Sequence, residues 1–129
     1  MSLTLALITV LFVKHFVVDF LLQDPYQYLN KGTYGHLGGI VHSGLHTIAT
    51  FVLLGLIGLA YPHFHPTFEL VVAIALIEGI IHYHIDYLKV NINTKLGWGP
   101  TTHEEYWWLL GADQLLHSLT YVGIVWYLV

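Results

Sequence analysis

The chain has 129 residues, 56% of them hydrophobic and only 9% charged, with four Lys, no Arg, eight acidic residues, ten His and no Cys. A water-facing domain usually carries roughly 25% charge, so the composition argues against a soluble monomer, and the hydrophobic and aromatic content excludes disorder. A net charge of −4 without a basic stripe argues against nucleic acid as a partner, and zero Cys excludes disulfides, thiolate metal sites and a Cys nucleophile.

A helix that crosses a membrane needs about 20 mostly apolar residues. The first such stretch covers about 3–22; its first charge is Lys14, with no basic region ahead of it, so it reads as a helix of the mature protein rather than a signal peptide. Asp24-Pro25 ends it, and residues 25–35 are polar and aromatic, with Lys31-Gly32 as a turn. The second stretch covers about 36–60, followed by a rigid link from Pro62 to Pro66. The third covers about 67–90, and residues 91–103, with Gly97, Gly99 and Pro100, form the longest connection. The fourth covers about 106–129, with Tyr106, Trp107, Trp108, Trp126 and Tyr127 near its ends, where aromatic belts sit. The short connections predict an all-α fold: a four-helix transmembrane bundle, up-and-down and antiparallel, in one integral membrane domain over 1–129. Lys31, Lys89 and Lys95 lie at one end of this arrangement and no lysine marks the other, so the positive-inside rule predicts cytoplasmic Lys-bearing connections and both termini outside.

Each span carries ionisable residues that lipid should reject, always paired at i, i+4: His15 and Asp19, His42 and His46, His82 and Asp86, Asp113 and His117. That spacing places both members on one helix face, one turn apart. The pairs alternate between the C-terminal and N-terminal parts of successive spans, so an antiparallel bundle brings all four to one level, roughly 8 to 16 Å from the Lys-bearing end. Glu78 sits one turn further in. Imidazole and carboxylate are ligands of zinc, manganese and iron, and bundles build such sites from inward residues of several helices. The eight residues therefore predict a site for one or two divalent ions, zinc favoured, near the cytoplasmic leaflet. Asp19 or Asp113 is a candidate base, Gln23 and Gln114 candidate donors to developing negative charge, and Lys89 a candidate phosphate holder. Lys14 is expected to snorkel or to pair with Glu104 or Glu105. His36, His63, His65, His84 and His103 read as peripheral. Gly38, Gly39, Gly44, Gly55 and Gly58 read as helix-packing positions.

The same residues resemble the domain-of-unknown-function family 3307, bacterial and phage multi-pass membrane proteins. The pattern appears as His15-x3-Asp19-Phe20-x2-Gln23, Lys31, His42 and His46, then His82-x3-Asp86-x2-Lys89 and Asp113-Gln114-x2-His117, over nearly the whole chain. Val18 departs from it, since the family favours Gly before the Asp. The resemblance implies no established reaction; a further likeness to membrane-bound metal-dependent hydrolases supports hydrolysis by analogy. The reading favoured is a hydrolase of an ester or phosphoester in a small, lipid-like or amphipathic substrate, with the bilayer as a partner and room for a homo-oligomer. The alternatives are a small divalent-metal or proton transporter, a di-iron membrane oxidase, and a metal-free structural bundle.

Overall fold

The computed structural model describes all residues, Met1–Val129, and is all-α. Helix α1 covers Leu3–Phe16 and runs directly into a π-helical turn, Val17–Leu21. A one-turn helix α2 covers Pro25–Tyr28, and three long helices follow: α3 at Leu37–Ala60, α4 at Phe68–Leu96 and α5 at Glu104–Leu128.

Local chemistry sets most of these limits. Ser2, Asp24, His36 and Thr67 each occupy an N-cap, and their side chains accept from backbone N–H groups that have no partner inside the helix. Pro25 sits in the first turn of α2, where its missing N–H costs nothing. Gly97 ends α4 at φ +67°, a left-handed conformation that glycine adopts without a Cβ penalty. The third helix therefore continues beyond the expected residue 90 to Leu96. Residues 91–96, predicted as loop, are helical, and the connection shrinks to the segment around Gly97–His103.

The long helices form a ring, in which α1 and α4 each border both α3 and α5 while the diagonal pairs stay apart. Their directions alternate. Tyr61 Oη donates to Met1 O, placing the end of α3 beside the start of α1, and Asn91 Nδ2 donates to Gly32 O, placing the end of α4 beside the approach to α3. Tyr121 meets Glu78 while His117 faces Asp86, so α5 runs opposite to α4.

Three helical stretches, Leu3–Leu21, Leu37–Ala60 and Phe68–Leu96, are long and apolar enough to cross a membrane. The fourth expected span is a helix of 25 residues but falls short of that apolarity, because Glu104, Glu105, Asp113, Gln114 and His117 dilute it. The polarity of the whole molecule is inverted relative to a water-soluble bundle. Of 28 buried residues 13 are polar or charged, while Phe20, Leu59, Ile80, Trp108 and Trp126 are among many large apolar side chains pointing outward. The buried apolar residues gather at one end, where Leu7 and Leu11 pack with Leu54, Ile57, Val71, Ile74 and Val125. The polar residues fill the other end.

Two close helix approaches frame the polar end. A Cβ on Gly79 of α4 would collide with Thr47 Oγ1 and come within 3.3 Å of Ser43 O on α3. A Cβ on Gly38 would collide with the backbone oxygen of Tyr26 and lie 2.9 Å from Asn30 Cβ, so glycine there lets α2 lie against the start of α3. Of the expected packing glycines, Gly38 and Gly39 make such approaches, whereas Gly44 and Gly55 have open space where a Cβ would stand.

Candidate metal centre

All eight expected residues are buried and meet at the polar end. Asp19 lies in the π-helical turn, which breaks the α-helical hydrogen-bond register; such turns recur at functional sites. Its Oδ1 lies 2.9 Å from His46 Nε2, 3.2 Å from His42 Nε2 and 3.5 Å from His82 Nε2, and its Oδ2 lies 3.2 Å from His15 Nε2. Asp86 lies opposite. Its Oδ2 is 3.1 Å from His42 Nε2 and 3.4 Å from His82 Nε2, and its Oδ1 is 3.9 Å from His117 Nε2. His117 Nε2 in turn lies 3.6 Å from Asp113 Oδ1.

The partners behind the rings indicate which nitrogens carry protons. His42 Nδ1 lies 3.2 Å from Gln27 Oε1, an acceptor, so Nδ1–H donates there and the Nε2 lone pair faces the cluster. That lone pair meets two carboxylate acceptors, Asp19 Oδ1 and Asp86 Oδ2, and lies 3.1 Å from His82 Nε2. On the far side of the cluster Tyr121 Oη donates to Glu78 Oε1 at 3.3 Å and lies 3.0 Å from His15 Nδ1, which therefore donates to it. The His15 Nε2 lone pair is left facing Asp19 Oδ2 and, at 3.1 Å, Gln114 Oε1, again two acceptors. His46 differs. Lys14 Nζ, 3.2 Å away and able only to donate, occupies its Nδ1, so its Nε2–H is free to donate to Asp19 and orient it.

Convergent acceptors in a buried space repel one another unless a cation or protons lie between them. A cation suits the spacing. Two donor atoms about 2.1 Å from a tetrahedral ion lie about 3.4 Å apart, close to the separations just given. Three overlapping groups have donor atoms mutually within 4.8 Å: His15, Asp19, His46 and His82; His42, His82 and Asp86; and Asp86, Asp113 and His117. Asp113 Oδ1 and His117 Nε2 are buried without a hydrogen-bond partner, which suits ligand atoms better than a purely structural network. The donor set and its spacing thus fit a divalent ion.

A second polar layer lies one turn deeper. Lys14, only 4% exposed, pairs with Glu78 Oε1 at 3.0 Å, and Thr50 Oγ1 donates to Glu78 Oε2 at 3.1 Å. The expected pairing of Lys14 with Glu104 or Glu105 is therefore wrong: the side chain points into the bundle, where Glu78 compensates its charge. This layer is the continuation of the helical spacing, since Thr50 follows His46 by four, Glu78 precedes His82 by four and Tyr121 follows His117 by four. Extending the pairs of α3, α4 and α5 by one turn finds Thr50, Glu78 and Tyr121, whereas Lys14, adjacent to His15, is off that period.

Lys31 and Gln27 carry no such periodic mark. Both lie in the segment between the first two long helices; Gln27 holds His42, and Lys31 Nζ reaches Asp86 Oδ2 at 3.1 Å. Lys89, by contrast, has no acidic partner, although it follows Asp86 by three. Gln23 Nε2 donates to the backbone oxygen of Asp19, and Gln114 Nε2 donates to Asp113 Oδ2 at 3.1 Å. The other histidines stay out of the cluster. His84 Nδ1 lies beside Ile80 O and its Nε2 beside Tyr34 Oη, His36 caps α3, and His103 Nδ1 lies 2.8 Å from Thr102 Oγ1.

The chain is thus an all-α protein with candidate membrane helices around a buried His/Asp group able to hold a metal ion. It belongs to the family described as Protein of unknown function (DUF3307), whose model matches residues 7–129 and so takes in every residue of the cluster. Comparison with curated proteins and with solved structures gives no match.

Proposed function

We propose that the chain is a membrane-embedded, metal-dependent hydrolase acting on an ester or phosphoester of a lipid-like or amphipathic substrate. The observation that carries this reading is the meeting of the His42 Nε2 lone pair with Asp19 Oδ1 and Asp86 Oδ2, with His82 Nε2 beside all three, at separations of 3.1–3.5 Å. In this reading α5 is a fourth span, because Asp113 and His117, the ionisable residues in its interior, face the other helices, as intramembrane ionisable groups do. The Lys-bearing end faces the cytoplasm and both termini lie outside.

His15, Asp19, His42, His82, Asp86, Asp113 and His117 supply more donors than one tetrahedral ion uses, so one or two ions share them, with zinc favoured over manganese or iron, while His46, expected as a ligand, orients Asp19 instead. A bound divalent ion would supply Lewis acidity and a readily ionised water. The chain's own residues then have distinct roles. Asp113 Oδ1 is unbonded while its Oδ2 is held by Gln114, so where a single ion leaves Asp113 unligated this fixed carboxylate oxygen can accept a proton instead. Asp19, engaged by four imidazoles, serves better as ligand than as base. Gln27 and Tyr121 hold two ligand rings in the tautomers that ligation needs. The apolar cluster around Leu7, Leu54 and Val125 closes the other end of the bundle, which favours a site with one mouth over a transport path.

Elemental analysis of the purified protein tests this. We expect near-stoichiometric divalent metal, lost in His82→Ala and Asp86→Asn together with ester or phosphoester hydrolysis. A metal-free wild type in which His82→Ala changes only stability would overturn the reading.

A further inference from the structure

We infer that a polar pocket at the Lys-bearing end binds a phosphate ester and presents it to the cluster. The inference deepens the hydrolase reading and rests on it for what happens after binding. The pocket, about 490 Å³, opens between the π-helical turn, the α2 region and the ends of α4 and α5. Its walls include Asp19, Lys31 and Lys89, so it abuts the cluster directly, because Asp19 Oδ1 is itself 3.2 Å from His42 Nε2.

Charge sets the ligand. Two of the protein's four lysines line this one pocket, and Asp19 is the only acidic residue among its walls, already surrounded by imidazoles. Lys31 is built in rather than a surface chain: it is 8% exposed, with its ammonium 3.1 Å from Asp86 Oδ2. Lys89 is half-buried and has no carboxylate partner, so its charge is available to an anion. A phosphate between the two lysines would satisfy Lys89 and place its ester bond toward Asp19.

The hydrogen-bond balance adds a second requirement. Gln23 Oε1 and Asn93 Oδ1 are buried acceptors without partners, and both residues line the same pocket. Unmet acceptors call for donors, which the hydroxyls of a glycerol-type or sugar-type headgroup provide and a bare anion does not. The mouth carries exposed Phe20 and Tyr28, rings of the kind that settle at the headgroup level of a bilayer. The matching ligand is a phosphate ester bearing hydroxyls, carried on a lipid or free in solution.

The test is binding rather than turnover. The full-length protein, purified in detergent with its metal content recorded, is titrated with phosphatidylglycerol, with diacylglycerol and with glycerol phosphate, and complexes are counted by native mass spectrometry. We expect phosphatidylglycerol to be retained over diacylglycerol. Lys89→Gln should weaken that retention about fivefold, with metal content unchanged, while Lys95→Gln, outside the pocket, has no effect. Asn93→Leu should weaken it as well. Competition by glycerol phosphate would place recognition on the phosphate itself, and lack of competition on the lipid-borne ester; either keeps the site. Equal binding of both lipids, or equal losses in Lys89→Gln and Lys95→Gln, would overturn it. Lys89-dependent binding by a metal-free protein would overturn the hydrolase reading and leave the pocket standing. Metal-loaded protein without such binding would do the reverse.

Discussion

Asp19 touches four imidazole nitrogens at 2.9–3.5 Å, and three of those rings are controlled by something behind them. Lys14 fixes His46, Tyr121 fixes His15 and Gln27 fixes His42. The ring-orienting partners of ligand histidines commonly account for 10–100-fold in metal affinity. Gln27→Leu keeps the volume roughly constant and removes the acceptor for His42 Nδ1–H. We expect metal affinity to fall about 10- to 100-fold with little change in helicity, measured by competition with a chromophoric chelator alongside circular dichroism. Unchanged affinity would mean that His42 is not held through Gln27. The ligand faces were legible because each pair obeys one helical turn. Gln27 and Lys31 were not, because a residue in a short connecting segment has no period from which to infer its direction.

Among the elements, α2 is the smallest, yet the ring of a candidate ligand depends on where it sits, since this one turn of helix carries Gln27 to His42. Its seat depends on Gly38, whose missing Cβ admits the Tyr26 carbonyl. Gly38→Ala removes that space. We expect a cost of about 1–3 kcal/mol in stability and a metal affinity lowered as in Gln27→Leu, read by thermal unfolding in detergent and by chelator competition. A fully stable, fully metal-binding variant would show that α2 can shift without consequence. The elements themselves were largely predictable from long apolar runs bounded by Pro and Gly. The extension of α4 to Leu96 was not, because residues 91–96 are mostly polar or charged and only the left-handed Gly97 marks the true stop. The π-helical turn was also hidden, since Val17–Leu21 reads as plain apolar helix around one Asp.

At the scale of the molecule, the sidedness of the bundle follows from how many helices cross. Four crossings put both termini on one side; three, with α5 lying outside the bilayer core, put them on opposite sides. The absence of Cys lets single cysteines report this without background. We expect His63→Cys to react with an impermeant thiol reagent from outside the cell, and Thr101→Cys to react only after the membrane is opened. A cysteine placed after Val129 should match His63→Cys. A C-terminal cysteine labelled from the same side as Thr101→Cys would remove α5 from the set of spans. Sequence patterning made the level of the cluster legible, because antiparallel order alone aligned the four pairs. The fourth span, expected from the sequence, falls short in apolarity because the residues that build the cluster also dilute that helix.

The contacts of α1 and of the π-helical turn that continues it bear on how such a chain is made. Lys14, His15 and Asp19 find Gln114 and Tyr121 of α5, Glu78 and His82 of α4, and His42 and His46 of α3, all of them later in the chain. During synthesis the first helix therefore emerges with three ionisable groups unmatched, and no neighbour yet made can shield them from hydrocarbon. In the four-span reading, its release into lipid is favourable only in the company of α3 to α5. Insertion is thus expected to be a collective step, with α1, made before its partners, among the last to settle in the bilayer.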